Sequence, residues 1–300
     1  MADVRGRLTD AAYALGWSVV RGMPEAAAYA AFDRLADEVW RRRGRGARQL
    51  EANLARVVGP EIEPAELREL GRQAMRSYFR YWVEAFRLPA LGRAGVLRHA
   101  DAECWHRVRD AVTRRGAVAA LPHMGNWDMA GAWAAFHDMP VTTVAERLEP
   151  ESLFDRFVAY RASIGIEVCA TGDAGLMEVL EKRAGSHRLV ALVADRDLGG
   201  NGVDVSFFGA TARMPAGPAI VALRAEVPLF PISLWYDGIA RMRVHDPVPV
   251  PEHGSERAKA EAMTAAVAAS FEQAIARHPR DWHMLQRVWL EDLRPGGAYG

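Results

Sequence analysis

Apolar positions recur with a helical period through the first third of the chain. From Pro24 to Trp40, the residues Ala27, Ala30, Ala31, Leu35 and Val39 fall on one helical face, and Pro24 suits a first turn. From Pro64 to about Arg87, Leu67, Leu70, Ala74, Tyr78, Tyr81 and Trp82 repeat the spacing. Tyr78, Phe79, Tyr81, Trp82 and Phe86 make this stretch dense in aromatic rings. Such a stripe fits either a core face or a face lying in a lipid headgroup layer. Residues 1–115 are therefore expected to be almost entirely helical.

The texture changes after Gly116. Apolar runs at Ala117–Leu121, Val141–Val144, Ile166–Ala170, Leu189–Ala194, Val203–Phe207, Pro228–Trp235 and Ala240–Val244 read as strands. Between them, helical patterns lie near Trp127–Phe136, Leu153–Ile164, Gly175–Arg183 and Pro215–Ala225. The alternation predicts an α/β fold with a largely parallel central sheet flanked by helices. Ser255 reads as the N-cap of a last long helix with a stripe of Met263, Val267, Phe271 and Ile275, ended by Pro279. No repeat, low-complexity segment or linker interrupts the chain. One domain over residues 1–300 is expected, its helical part (1–115) packed on its α/β part (116–300).

Composition narrows the function. Half of the 300 residues are hydrophobic, enough for a sizeable core, and 38 Lys and Arg balance 38 Asp and Glu. Zero net charge disfavours nucleic acid as a partner. The two cysteines, Cys104 and Cys169, lie far apart and read as reduced thiols. The first 20 residues lack a long apolar core and a small-residue cleavage site, and no run of ~18 apolar residues occurs anywhere. Neither a signal peptide nor a spanning helix is expected. Arg41, Arg42, Arg43, Arg45 and Arg48 cluster after the first helix. They suit a solvated helix end or contact with anionic headgroups. No G-x-S-x-G, P-loop or dinucleotide fingerprint is found.

Candidate chemistry centres on AVAALPHMGNWDMAGAW, residues 117–133. A buried strand runs into Pro122 and His123, Gly125 and Asn126 turn the chain, and a helix follows with Asp128 in its first turn. The carboxyl end of a strand in an open α/β sheet is where sites form. In the His-x4-Asp spacing, the carboxylate of Asp128 can fold back to one ring nitrogen of His123 and leave the other outward as a general base. The backbone N–H groups of Gly125, Asn126 or Trp127 at the helix start can hold a developing oxyanion. The alternative is a capping Asp and a His hydrogen-bonded in the core. A second strand ends in Asp195-Arg196-Asp197 before a glycine-rich turn. These acids suit support of His123, binding of substrate hydroxyls, or a metal as in glycosyltransferases. Arg213 opens a third segment, RMPAGP, and suits either a phosphate or the solvent.

Together these segments resemble the glycerophospholipid-type acyltransferases, and within them the branch of lipid A late acyltransferases and phosphatidylinositol mannoside acyltransferases. The resemblance covers roughly Gly116 to Pro231, with a weaker echo in Trp282-His-Met-Leu-Gln-Arg287-Val-Trp289. His123 and Asp128 match the family's His-x4-Asp motif. Arg161, in AYRASIG, matches a second-motif arginine near the acceptor phosphate. Asp195-Arg196-Asp197 matches the acidic third motif, Arg213 and MPAGP the segment after it, and Pro228 and Pro231 the fourth. Glu146 falls where the mannoside branch has an acidic residue lining the polar cleft. That branch carries a glutamate near Asp197, where this chain has the shorter aspartate.

The resemblance implies an O-acyltransferase that moves a long-chain acyl group from acyl-CoA to a sugar hydroxyl of phosphatidylinositol mannoside, an anionic glycolipid. His123 and Asp128 would be catalytic, and Glu146, Arg161, Asp195, Asp197 and Arg213 would bind substrate. Acyl-CoA enters as co-substrate, with no other cofactor and no metal. The acyl chain would lie in a channel between the helical part and the sheet. The N-terminal helices would dock the enzyme peripherally on the cytoplasmic face of the membrane. Three alternatives stand beside this reading: a lipid A-type transferase using acyl-carrier protein, a metal-dependent glycosyltransferase built on Asp195 and Asp197, and a lipid-binding protein without catalysis.

Overall fold

In a computed structural model, residues 16–147, 149–197 and 199–293 are described. The N-terminal segment behind the signal-peptide expectation lies mostly outside them. A helical stretch over residues 16–22 precedes α1 (Glu25–Arg41), α2 (Arg45–Val58) and α3 (Pro64–His99). The last of these is kinked at Gly92, three residues after Pro89. There follow β1 (Ala100–Glu103), α4 (His106–Arg114), β2 (Ala117–Leu121), α5 (Trp127–Ala135), β3 (Val141–Ala145), α6 (Glu151–Ser163), β4 (Ile166–Ala170), α7 (Leu176–Ala184) and β5 (Leu189–Val193). The chain then forms the hairpin β6 (Val203–Phe207) and β7 (Ala210–Met214), then α8 (Gly217–Ala225), β8 (Leu229–Asp237), β9 (Ile239–Val244) and α9 (Glu256–Arg277).

The sheet has seven strands in the order β1-β9-β8-β2-β5-β3-β4. Strands β8, β2, β5, β3 and β4 run parallel, as expected. The hairpin from β8 to β9 reverses the direction, and β1 pairs parallel to β9. The centre is β2, apolar and buried at all five positions, as a strand covered on both faces must be. Helix α5 packs over one face of the sheet, against α3 and strands β1, β9, β3 and β4. Helices α7, α8 and α9 pack on one another and on β5, β2 and β8.

Two strands differ from expectation, each for a local reason. Strand β1 lies inside the region expected to be helical; its sequence ADAE has no strand signature, and it is set by pairing with β9 and packing against α5. Helix α2 lies within the stretch expected to be helical, and Ala47, Leu50 and Leu54 give it a buried stripe. Strand β7 lies in a stretch assigned no strand, just before the helix expected at Pro215–Ala225, and pairs with β6 across a two-residue turn at Phe208 and Gly209. The arginine cluster consequently spans the junction of α1 and α2. Arg41 and Arg42 both pair with Glu38, and Arg43 pairs with Glu51. The aromatic stripe on α3 packs against the core, with Tyr78, Phe79, Trp82 and Phe86 half-buried. Tyr81 is buried, stacks on Trp127 at 4.1 Å and lies 6.3 Å from His283. No helix among the described residues is long and apolar enough to cross a membrane.

Candidate active site

Strand β2 delivers His123 to the carboxyl edge of the sheet, where Pro122 ends the ladder. The turn that follows requires glycine: Gly125 has φ +56°, and a Cβ there would lie 2.8 Å from Leu234 Cβ. Asn126 then caps α5, its Oδ1 accepting from the Met129 N–H at 2.9 Å.

The carboxylate beside His123 belongs to Asp195. In the parallel register of β2 and β5, Leu121 sits opposite Val193, so the residues two further on, His123 and Asp195, emerge side by side. His123 Nδ1 lies 2.5 Å from Asp195 Oδ1, and the His123 backbone N–H donates to Oδ2 at 2.9 Å. Trp282 donates its indole N–H to Oδ2, also at 2.9 Å. Asp195 is fully buried, whereas the His123 side chain is 32% exposed. Burial opposes ionisation of Asp195, but the charge of His123 and the three donated hydrogen bonds outweigh it and hold the carboxyl below its ordinary range. An ionised carboxylate only accepts, so the Nδ1 proton faces Asp195, and in the neutral imidazole the basic lone pair is then that of Nε2, on the far side of the ring.

Asp128 is not the partner of His123. In the first turn of α5 it faces α3 and α6, where Tyr81 donates to Oδ2 and Arg161 Nε donates to Oδ1, both at 2.9 Å. The spacing placed the carboxylate one turn away along the chain, but the helix starts in a direction that turns it from the imidazole. Arg161 is likewise drawn inward: its side chain is 14% exposed and ion-paired with Asp128. Its pKa is raised; burial opposes the charge, and Asp128 more than compensates.

The remaining expected residues divide. The Gly125 N–H donates to the Asp281 carbonyl at 2.9 Å and is engaged, so Asn126 and Trp127 are the amides left for an oxyanion. Asp197 closes its own glycine-rich turn, accepting from Gly199 N at 2.9 Å and Gly202 N at 2.8 Å. Of the two acids, Asp195 contacts His123 and Asp197 contacts its own turn. Their separate duties also take away the paired-acid metal site of the glycosyltransferase alternative. Arg213 pairs with Asp204 across the β6–β7 hairpin at 2.6 Å. Glu146 lies exposed just beyond β3.

The C-terminal segment completes the site. Met124 and Trp282 form an antiparallel bridge, and the His283 N–H donates to the His123 carbonyl at 2.7 Å. The Trp-His-Met-Leu echo was visible in the sequence, but nothing in it assigned Trp282 and His283 to His123. Burial, together with the charge of His123, pushes the His283 pKa down to about 3, so this imidazole stays neutral.

An apolar cavity of about 100 Å³ lies between α5 and the sheet. Its wall near His123 is formed by Leu121, Trp127, Val193 and Leu234. At the opposite edge of the sheet, Trp105, Val108, Trp133, Ala134 and Met139 line it. Ala191 and Val193 are half-buried although β5 is a central strand, because the cavity reaches them. Asp128 and Arg161 are the charged residues on its wall.

Comparison with known proteins agrees with this architecture. The family model described as bacterial lipid A biosynthesis acyltransferase matches residues 3–291. The phosphatidylinositol mannoside acyltransferase of Mycolicibacterium smegmatis (strain ATCC 700084 / mc(2)155) is 47% identical over 295 residues, 96% of this chain and 93% of the relative. The protein of the same name from Mycobacterium tuberculosis (strain ATCC 25618 / H37Rv) is 44% identical over 299 residues, 97% of this chain and 92% of the relative. A match of this extent, on a mostly parallel α/β sheet, shows that the chain belongs to the bacterial lipid A biosynthesis acyltransferase family.

Proposed function

We propose that the protein transfers a long-chain acyl group from acyl-CoA to a sugar hydroxyl of phosphatidylinositol mannoside, with His123 as general base. The observation that carries the reading is the short bond from His123 Nδ1 to the buried carboxylate of Asp195, which leaves Nε2 as an oriented base beside an apolar cavity. The names of the relatives supply the acceptor.

The acceptor hydroxyl lies against Nε2. His123 removes its proton as the oxygen attacks the thioester carbonyl, and Asp195 stabilises the imidazolium that forms. The serine of a hydrolase triad is replaced by the substrate's own hydroxyl. The Asn126 and Trp127 amides at the start of α5 face the oxyanion, helped by the helix dipole. As the tetrahedral intermediate collapses, the carbon–sulfur bond breaks and His123 returns the proton to the thiolate. Asp128 supports the site at one remove: it holds Tyr81, which stacks on Trp127, and the Trp127 ring meets His123 edge-on at 5.8 Å. The acyl chain occupies the cavity beneath α5. Glu146 and Arg213 remain candidates for the polar part of the acceptor, and the exposed arginines of α1 and α2 for anionic headgroups on the cytoplasmic face of the membrane.

The test is acyl transfer from palmitoyl-CoA to phosphatidylinositol mannoside by the unmodified protein and by His123→Ala. Product from the first and none from a folded second supports the reading. Release of CoA without an acylated acceptor points to a different acceptor. Transfer only from acyl-carrier protein favours the lipid A-type alternative.

A further inference from the structure

We propose that Glu84, a buried residue of α3, is a positioning residue for acyl transfer, holding the first turn of α5 in register with His123 through Asn126. The proposal rests on the reading above, in which that turn supplies the oxyanion amides.

Four elements send a donor to this one carboxylate. Tyr29 of α1 donates to Oε1 at 3.0 Å, and Arg80 Nε of α3 donates to Oε1 at 2.8 Å. Asn126, the cap of α5, donates Nδ2 to Oε2 at 2.8 Å, and Tyr236 of β8 donates to Oε2 at 2.9 Å. Glu84 is 5% exposed. Arg80 neutralises it and lies over the Tyr236 ring at 3.9 Å. Burial, then the Glu84 charge, raises the pKa of both tyrosines, which remain donors.

An apolar residue would join the same four elements without desolvating a charge. What the carboxylate adds is an orientation. The amide of Asn126 fits its site in one sense only: Oδ1 toward the Met129 N–H as cap, Nδ2 toward an acceptor. Glu84, unable to donate when ionised, enforces that sense. Flipped, the amide would aim its NH₂ at Met129 N–H and the cap would be lost. The capped turn carries the Asn126 and Trp127 amides, whose donors must meet the oxyanion to within a fraction of an ångström. Through Tyr29, the same carboxylate ties this turn to α1.

The experiment compares Glu84→Gln with the exchange Glu84→Gln/Asn126→Asp. In the single variant the new NH₂ faces the donors around it, and the Asn126 amide loses its enforced sense. In the exchange the Gln NH₂ donates to one Asp oxygen while the other still caps Met129. Tyr236, as a hydroxyl, can accept where it donated before. Glu84→Gln is expected to lower kcat about 100-fold with KM little changed, and to speed amide hydrogen exchange over residues 126–129. The exchange is expected to recover kcat to within about tenfold of the unmodified protein and to slow exchange again. If Glu84→Gln fails to fold, Asn126→Ser, which keeps a capping oxygen and loses the Glu84 bond, must show the same fall in kcat. A single variant that loses thermal stability but keeps kcat would reduce Glu84 to a structural role. So would an exchange that restores slow amide exchange but not kcat. A complete lack of transfer by the unmodified protein would instead overturn the acyl-transfer reading beneath the proposal.

Discussion

Trp282 donates its indole N–H to Oδ2 of Asp195 at 2.9 Å, from a position 87 residues further along the chain. With the two bonds from His123, this engages both oxygens of the buried carboxylate and fixes its orientation. Trp282→Phe keeps the aromatic ring and removes one donor. Leaving a buried acceptor short of a partner costs on the order of 1–3 kcal/mol. A fall in kcat of about tenfold or more is expected, with KM nearly unchanged, measured by steady-state transfer assays.

Asp128 and Arg161 form an ion pair with side-chain exposures of 3% and 14%. Breaking a buried pair from one side leaves the other charge uncompensated. Asp128→Ala is expected to lose roughly 3 kcal/mol or more of stability. A lowered midpoint in thermal or urea unfolding checks it.

Ala134 lines the cavity at the edge of the sheet away from His123, beside Trp133 and Met139. A longer side chain there shortens the space for an acyl tail. Ala134→Leu is expected to shift preference toward shorter donors, the longest losing about fourfold in kcat/KM for each methylene no longer buried. Competition between acyl-CoA donors of graded length reads this directly.

His283 is neutral in the folded protein because its pKa is pushed down to about 3. In the unfolded chain it takes up a proton near pH 6.5. Between these values the unfolded state binds the extra proton, so this residue makes stability fall as pH drops, by up to about 1.4 kcal/mol per pH unit. His283→Gln is expected to flatten the slope of unfolding free energy against pH from about 6.5 down toward 3, in denaturant titrations at several pH values.

The strands and the helix starts were legible because each depends on local patterning: an apolar run at Ala117–Leu121, a Ser255 cap that accepts from the Ala258 N–H at 3.2 Å, a Pro279 stop. His123 was legible for the same reason, standing where a buried strand meets a glycine turn. Its neighbours were not. The pairing of His123 with Asp195 follows from the register of two parallel strands whose partners lie 72 positions apart, and register is not written in either strand alone. The spacing of Asp128 suggested a contact that the direction of α5 denies. Trp282 and His283 join the site through a non-local bridge to Met124, and the residues of β1 become a strand by pairing with the distant β9.

The most direct test of the account is the kcat of Asp195→Asn, measured with acyl-CoA donor and glycolipid acceptor on protein shown to be folded. An Asn at this position neither stabilises the imidazolium nor enforces the Nδ1–H tautomer. The account predicts a loss on the order of 10³-fold or more, with KM largely retained. Activity within a few-fold of the unmodified protein would contradict it, and the carboxylate that serves His123 would have to be sought elsewhere.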